Sequence, residues 1–238
     1  MEDPVQKWEA SASAWIALQK DGGDYSRRAI LDPPMLELLG CVQGRRILDL
    51  GCGEGRFARI LSQAGASVIG IDPVAEFIRH AGAPNCGAQF IVAEAGAIPL
   101  DSGFFDDVVS YLTLVDIADL EPAADEITRV LKPGGRFLAA TISNLASASD
   151  GWVKDTDGNK LHRPVDRYMD CFAMDLAWSG LQIVNYHRPL GYVLGVFLRR
   201  GLVLTAFLEP LPPENDPGYA EEARCPTFQI YQFQKGGL

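Results

Sequence analysis

The chain has 238 residues, of which 47% are hydrophobic and 22% are charged, and its formal net charge is −10. This composition is ordinary for one globular domain with a full core, and it excludes a disordered chain. The negative charge argues against nucleic acid as a partner, because a protein that neutralises phosphates needs a basic face. No apolar run approaches the roughly 20 residues of a membrane-spanning helix, so we expect no membrane partner either.

The termini and the cysteines carry little further information. The N-terminus is polar and acidic and has no export signal, which predicts a cytoplasmic protein. The chain has five cysteines, an odd number, so we expect reduced, independent thiols. No pair of cysteines has the close spacing of a zinc site, so we expect no metal site. The oligomeric state is not predictable from the sequence.

Residues 1–40 are predicted to form an N-terminal helical arm. Trp8, Ala12 and Trp15 recur at helical spacing, and Asp32-Pro33 followed by Gly40 marks the cap, first turn and end of a second short helix. The tryptophans can simply dock the arm on the core, which we favour, or the arm can close over a ligand. These two interpretations are compatible.

From residue 41 onward, short β-rich runs alternate with helical segments. This alternation predicts an α/β fold with a doubly wound, mostly parallel sheet. The predicted strands cover 46–50, 67–72, 89–93, 106–112, 135–142, 203–209 and 227–234, and the predicted helices lie near 54–64, 74–81, 122–131 and 189–200. The last strand alternates apolar and polar residues, which favours an antiparallel edge or insertion strand.

Residues 143–188 interrupt this alternation and are predicted to form an inserted cap. The turn-forming run from Asp155 to Lys160 predicts a small hairpin. The segment is rich in aromatic residues, histidine and arginine, and a loop-rich insertion near strand ends is a candidate substrate lid.

A glycine-rich turn follows the first strand and carries the strongest functional signal. Residues 47–55 read Ile-Leu-Asp-Leu-Gly-Cys-Gly-Glu-Gly and lead into a helix, whose N-terminal N–H groups can hold an anionic group. A dinucleotide site needs glycine or alanine at position 56, where this chain has Arg56. Asp49 would also be unfavourable beside a pyrophosphate, whereas beside an ammonium group it would be favourable.

Three further motifs follow in order. The buried strand ending at Asp72-Pro73 places an acid where a ribose diol is bound, although a strand-terminal Asp is also a common helix cap. The run from Phe90 leads to Glu94 and Ala95, and Leu131-Lys-Pro-Gly-Gly135 forms a helix end, a turn and the start of a strand.

With these motifs, residues 45–142 resemble the class I S-adenosylmethionine-dependent methyltransferases of the small-molecule type. The resemblance implies a Rossmann-like, seven-stranded sheet with S-adenosylmethionine bound across the strand ends. It implies that Asp49, Gly51, Cys52 and Gly53 face the methionine part, Asp72 and Pro73 the ribose, Glu94 and Ala95 the adenine, and Tyr111 and Leu112 the sulfonium end. The arm segment with Arg27 and Arg28 resembles relatives in which it helps to close the cofactor site.

The resemblance leaves the catalytic residues open. Many relatives have Leu-His-His after the fourth strand, whereas this chain has Leu114-Val115-Asp116. Asp116 either acts in catalysis or caps the following segment. His187 either lines the site as a base or is structural, and Arg163 and Arg188 are candidates for holding an acidic substrate group.

We therefore expect a methyltransferase that acts on an oxygen or nitrogen of a small-molecule acceptor by in-line displacement, since the aromatic cap favours an enclosed acceptor. The alternatives are a protein methyltransferase or partner-dependent subunit, and a non-catalytic S-adenosylmethionine-binding domain. The predicted organisation is one domain, 1–238, with the arm at 1–40, the cofactor-binding half at 41–142, the cap at 143–188, and a crossover helix with two strands at 189–238.

Overall fold

The computed structural model describes residues 3–19, 22–83 and 86–237. The strands are β1 (Arg46–Leu50), β2 (Ser67–Asp72), β3 (Gln89–Val92), β4 (Phe105–Tyr111), β5 (Leu131–Ile142), β6 (Val153–Lys154), β7 (Lys160–His162), β8 (Phe172–Trp178), β9 (Leu181–His187), β10 (Leu202–Leu208) and β11 (Phe228–Lys235). The α-helices are α1 (Pro4–Leu18), α2 (Asp32–Leu39), α3 (Arg56–Gln63), α4 (Ala75–Gly82), α5 (Leu120–Val130), α6 (Asn144–Ser147), α7 (Leu190–Leu198) and α8 (Tyr219–Glu222).

Seven strands form a central sheet in the order β10-β11-β5-β4-β1-β2-β3. The five strands from β5 to β3 are parallel, and β11 runs antiparallel to both of its neighbours. The predicted seven-stranded, mostly parallel sheet is confirmed, including the antiparallel orientation of the last strand. The strand order reverses between β1 and β4, and ligands of open α/β sheets bind at such a point, outside the carboxyl ends of the strands.

Helices cover both faces of the sheet because the central strands are buried on both sides. Along β1, Ile47 packs on the face covered by α2 and α3, whereas Leu48 packs on the face covered by α5 and α7. Neighbouring side chains of a strand point to opposite faces, so a strand between two helical layers must be apolar throughout. This explains why the strand signals in the sequence are continuous apolar runs.

The inserted cap contains more regular structure than the sequence analysis predicted. The small hairpin around Asp155 is present as β6 and β7, but β8 and β9 form a second, longer antiparallel hairpin. Its turn residues Ser179 and Gly180 have φ values of 48° and 82°. Two successive positive φ values are typical of the tight turns that join hairpin strands.

The N-terminal arm packs on this second hairpin. Helix α1 begins at Pro4, where Asp3 accepts a hydrogen bond from the Val5 N–H as its cap. The Ser11 hydroxyl donates to the carbonyl of Gln182 at 3.1 Å and accepts from the Gln182 N–H at 3.0 Å. Helix α1 and β9 therefore form one unit over the strand ends. No helix in the described part of the chain is long and apolar enough to cross a membrane.

Candidate active site

A cavity of about 800 Å³ lies at the carboxyl ends of β1 to β4, beneath α1 and the β8–β9 hairpin. Its volume is in the range of small-molecule sites. The predicted cofactor residues that line it are Asp49, Gly51, Cys52, Gly53, Asp72, Pro73, Glu94, Ala95, Tyr111, Leu112 and Arg27. Arg28, the remaining cofactor-site residue expected from the resemblance, does not line this cavity.

Asp49 is a buried carboxylate that faces the cavity without a hydrogen-bond partner. Its residue exposure is 1%, and neither carboxylate oxygen has a partner among the described residues. Burial, together with the nearby Glu54 carboxylate, raises the pKa of Asp49 to about 7. An unpaired buried carboxylate is unfavourable unless a ligand provides the missing donors or positive charge. Asp49 is therefore suited to bind an ammonium group.

The glycine turn between β1 and α3 is held in a conformation that only glycine accommodates. Gly51 has a φ of 69°, and a Cβ atom there would lie 2.1 Å from the Thr113 side chain. The Thr113 hydroxyl also donates to the Gly51 carbonyl at 3.0 Å. No side chain caps the N-terminus of α3, so N–H groups of its first turn are available to an anionic ligand group.

Asp72 accepts hydrogen bonds from the backbone before α3 and before α4 and also lines the cavity. One carboxylate oxygen accepts from the Gly53 N–H at 3.0 Å, and the other accepts from the Val74 N–H, just before α4, at 2.9 Å. Burial raises the pKa of Asp72 to about 6, although these two hydrogen bonds oppose the shift. The side chain thus orders the backbone between β2 and α4 and also faces the cavity.

Arg56, which occupies the position of a dinucleotide-site glycine, is part of the wall of the cavity. Its guanidinium donates to the Asp32 carboxylate and to the Gly22 carbonyl. The Tyr111 hydroxyl donates to the other Asp32 oxygen at 2.7 Å. Asp32 was predicted to cap a short helix, but it lies inside a helical run because a π-helical turn at Ser26–Leu31 precedes α2. Its carboxylate instead connects the arm to α3 and β4.

The tryptophans of the arm both dock on the fold and line the cavity. Trp8 and Trp15 are in edge contact, with ring centroids 5.4 Å apart, and they pack with Phe77 of α4. The Arg27 guanidinium lies 4.9 Å from the Trp15 ring centroid and pairs with Asp24. Both tryptophans and Arg27 line the cavity. The same tryptophans therefore dock the arm on the core and line the cavity.

Asp116 lines the cavity and does not cap a helix. Its Oδ1 atom accepts from the Asn185 side-chain amide at 2.6 Å. The residue that caps α5 is Asp119, whose carboxylate accepts from the Glu121 N–H at 3.0 Å. Burial raises the pKa of Asp116 well above its ordinary value, while hydrogen bonds from Trp8 and Asn185 oppose the shift. The capping interpretation of Asp116 is thus corrected, because a second aspartate three residues later takes that role.

His187 does not line the cavity, contrary to the prediction that it is a candidate base. Its exposure is 0%, and its two ring nitrogens lie 2.8 Å from the Ser147 hydroxyl and 2.9 Å from the Tyr168 carbonyl oxygen. Both nitrogens are therefore engaged with groups of the cap. The histidine joins β9 to the cap segment, which is the structural role that the sequence also allowed.

The two arginines proposed to hold an acidic substrate group also lie outside this cavity. The Arg188 guanidinium donates to the Leu114, Ile117 and Ala118 carbonyls of the segment that follows β4. Arg163 is on the cap, next to β7. Arg188 thus fixes the segment that carries Asp116, instead of contacting a ligand.

The cavity lining is strongly negative. Eight carboxylate side chains line it, and the cationic side chains among the described lining residues are Arg27 and Arg56. The acids are Asp3, Asp24, Asp49, Glu54, Asp72, Glu94, Asp116 and Asp119. Such a cavity favours a ligand with positive charge.

Comparisons with known proteins agree with this geometry. A family model described as a methyltransferase domain matches residues 48–139. A malonyl-[acyl-carrier protein] O-methyltransferase from Serratia marcescens is 30% identical over 208 residues, which cover 84% of this chain and 78% of that protein. A relative of the same name from Enterobacter lignolyticus is 32% identical over 139 residues, 58% of this chain, and the match spans only about half of that relative's length, 54%.

Among solved structures, an S-adenosylmethionine-dependent methyltransferase from Mesorhizobium loti superposes with a TM-score of 0.76 at 29% identity. The superposition covers 85% of this chain and 96% of that protein. It therefore includes most of the sheet and the helices that flank it.

Proposed function

Since the chain belongs to the class I S-adenosylmethionine-dependent methyltransferases, we propose that it transfers a methyl group from S-adenosylmethionine to an oxygen or nitrogen of a small-molecule acceptor. S-Adenosylmethionine is the cofactor of this family. The observation that carries the proposal is the buried Asp49 carboxylate, which has no hydrogen-bond partner among the described side chains and backbone groups and lies in an acidic cavity at the strand ends. This carboxylate fits a cofactor that has an ammonium group and a positively charged sulfur.

The residues around the cavity fit the other parts of the cofactor. The free N–H groups at the start of α3 would hold its carboxylate, and Asp72 would accept from the ribose hydroxyls. Glu94 and Ala95 would lie at the adenine, and Tyr111 and Leu112 at the sulfonium. When bound, S-adenosylmethionine supplies an electrophilic methyl group on sulfur. The side chains of this protein would then bind the cofactor, orient the acceptor and exclude water.

A cavity partly covered by α1 and the β8–β9 hairpin supports a small-molecule acceptor over a protein chain bound in an open groove. Trp8 from α1 and Trp178 from the β8–β9 hairpin both line the cavity. The two elements that would exclude water therefore lie over the strand ends. The predicted single domain, its cap at 143–188 and the cytoplasmic location remain predictions.

The names of the relatives support oxygen as the receiving atom. Several are malonyl-[acyl-carrier protein] O-methyltransferases. A malonyl thioester ends in a free carboxylate. The oxygen that receives the methyl group can therefore belong to a carboxylate or to a hydroxyl group, and the names alone do not extend this choice to the present chain.

Cofactor binding is tested by thermal unfolding with and without S-adenosylmethionine. The wild-type melting temperature should rise, because a ligand that binds only the folded state stabilises it. Asp72→Ala should abolish the rise, whereas Asp101→Ala, at an exposed site outside the cavity, should retain it. Circular dichroism checks that Asp72→Ala still folds. A wild-type protein whose melting temperature does not change would refute the proposal.

Methyl transfer is tested by incubating the protein with methyl-labelled S-adenosylmethionine and a cell extract. The label should enter the small-molecule fraction in an enzyme-dependent manner. Label found only in protein would favour a protein methyltransferase. Cofactor binding without any transfer, to small molecules or protein, would favour a non-catalytic or partner-dependent subunit.

A further inference from the structure

The charged groups of the cavity restrict the chemistry of the methyl acceptor. Resting on the proposed function, we infer that the acceptor atom is an oxygen or nitrogen that carries hydrogen, as in a hydroxyl or amine, and that it donates this hydrogen to Asp116. A free carboxylate is not an acceptor of this protein. The inference goes against the acceptor class that the names of several relatives suggest.

The first support is that the described lining residues offer no unpaired cationic side chain to a carboxylate. Arg27 and Arg56 are the cationic side chains among the described lining residues. The Arg27 guanidinium pairs with Asp24, and that of Arg56 pairs with Asp32. A bound carboxylate would be partly removed from water among eight acidic side chains, with the charge of the cofactor but no unpaired cationic side chain of the described lining residues to balance it. Transfer of an unpaired charge out of water is strongly unfavourable.

The second support is the role of Arg188, the arginine nearest in sequence to the cavity-lining Asn185. Its guanidinium makes hydrogen bonds to three carbonyls of residues 114–118. Two residues earlier, in β9, the Tyr186 N–H donates to the Val115 carbonyl at 2.7 Å. The backbone of the segment that carries Asp116 is therefore fixed from β9 and from the residue that follows it.

The third support is the surroundings of Asp116 itself. Asn185, which is buried, donates to its Oδ1 atom at 2.6 Å, and the side chain remains partly accessible from the cavity. Trp8, Val115 and Ile183 line the same cavity and add apolar surface. The carboxylate can therefore accept a further hydrogen bond from a ligand group that carries hydrogen. Burial also raises the pKa of Asp116 well above its ordinary value, which makes the carboxylate a stronger proton acceptor.

The chemical step balances with these groups. With S-adenosylmethionine bound, the acceptor lone pair would form the new bond to the methyl carbon as the sulfur–carbon bond breaks, and the sulfur would leave as a neutral thioether. The proton of the acceptor oxygen or nitrogen would pass to the Asp116 carboxylate. Asn185 would act as a positioning residue in this step because it donates to the Asp116 carboxylate, and Arg188 because it bonds the carbonyls on either side of Asp116.

The stability of the labelled product in alkali tests the acceptor class even where the acceptor molecule is unidentified. Wild-type protein is incubated with methyl-tritiated S-adenosylmethionine and a small-molecule extract, and the labelled small molecules are treated with mild alkali. Methyl ethers and methylamines survive, whereas methyl esters of carboxylates release volatile tritiated methanol. We expect alkali-stable label. Label released as methanol would overturn the inference and leave the proposed function standing, and absence of enzyme-dependent label would overturn both.

Asp116→Asn tests the named residue. We expect its rate of forming the alkali-stable product at saturating cofactor to fall about 100-fold, the scale of a lost general base, with the cofactor-induced rise in melting temperature retained. Asp101→Asn, at the exposed site, is the matched control and should react like wild type. A rate for Asp116→Asn within about threefold of wild type would overturn the role of Asp116. Should this variant fail to fold, the alkali test on wild-type protein still decides the acceptor class.

Discussion

Replacing Asp49 with asparagine should stabilise the protein without ligand and at the same time remove its response to S-adenosylmethionine. The carboxylate is buried and has no hydrogen-bond partner among the described residues. Asparagine has nearly the same shape but no charge, so the packing around it is preserved. The unfavourable burial of a charge is lost, and with it the group that would bind the ammonium of the cofactor.

The size of the stabilisation follows from the pKa of Asp49. Burial raises it from 3.8 to about 7, and a difference of roughly three pKa units corresponds to about 4 kcal/mol. The asparagine amide would itself be buried without hydrogen-bond partners, which offsets about 1–3 kcal/mol of this stabilisation. The free energy of unfolding should therefore rise by about 2 kcal/mol. For a chain of this size, that gain raises the melting temperature by roughly 4–8 °C.

The pH dependence has a definite sign. Because the folded-state pKa is raised, the folded state binds more protons than the unfolded chain between about pH 4 and pH 7, and wild-type stability falls as the pH rises through this range. The advantage of Asp49→Asn should therefore be complete above about pH 7 and shrink toward about pH 4.

Thermal unfolding of wild type and Asp49→Asn across this pH range, with and without S-adenosylmethionine, measures both effects. Asp101→Asn, at an exposed site, is the control for loss of one negative charge and should show neither effect. An Asp49→Asn protein that melts below wild type above neutral pH, or that keeps the wild-type response to the cofactor, would refute the reasoning.

Two further predictions concern residues that support the site. Arg188→Met should lower the free energy of unfolding in urea by about 3 kcal/mol, because the guanidinium loses one buried and two partly buried hydrogen bonds to carbonyls. A loss under about 1 kcal/mol would contradict this role. Asp107→Asn should cost about 2–3 kcal/mol in the same assay, since the fully buried carboxylate pairs with Arg45 and Arg136. Asp106→Asn, whose partly exposed ion pair is worth about 1 kcal/mol or less, is the matched control, and equal losses would argue against the two-arginine pairing.

The sheet was predictable because its signals are local. Strand β1 lies between Gly44 and Gly51, and β2 lies between Gly65 and Pro73, so turn residues mark both ends of each largely apolar run. The predicted ranges 46–50 and 67–72 equal the observed ones. Strand β5 begins at Leu131 instead of 135, because Leu131 pairs with Phe105 ahead of an irregularity in the β4–β5 register. The apolar pattern alone does not show a strand that continues through a Pro-Gly-Gly turn.

The β8–β9 hairpin was missed although a signal was present. Ser179-Gly180 separates two runs of alternating character, Phe172–Trp178 and Leu181–His187. The dipeptide is a turn signal of the kind that joins hairpin strands. The aromatic-rich composition of the segment instead favoured an irregular cap.

The roles of His187 and Asp116 were not predictable from local sequence. The partners of His187 are Ser147 and Tyr168, which lie 40 and 19 positions away. Asp116 receives its hydrogen bond from Asn185, 69 positions away. Whether a polar side chain faces a cavity or the interior depends on such distant contacts, which periodicity and motif spacing do not report.

Helix α1 and the β8–β9 hairpin are joined to each other by Ser11 with Gln182 and by the Lys7–Asp175 ion pair. Both elements lie outside the central sheet, whose strand ends carry the glycine turn and Asp72. If the protein acts as proposed, substitutions in these two elements would reshape the acceptor side of the cavity while the strand ends keep their geometry. New acceptors would then arise during evolution without rebuilding the part that would hold the methyl donor.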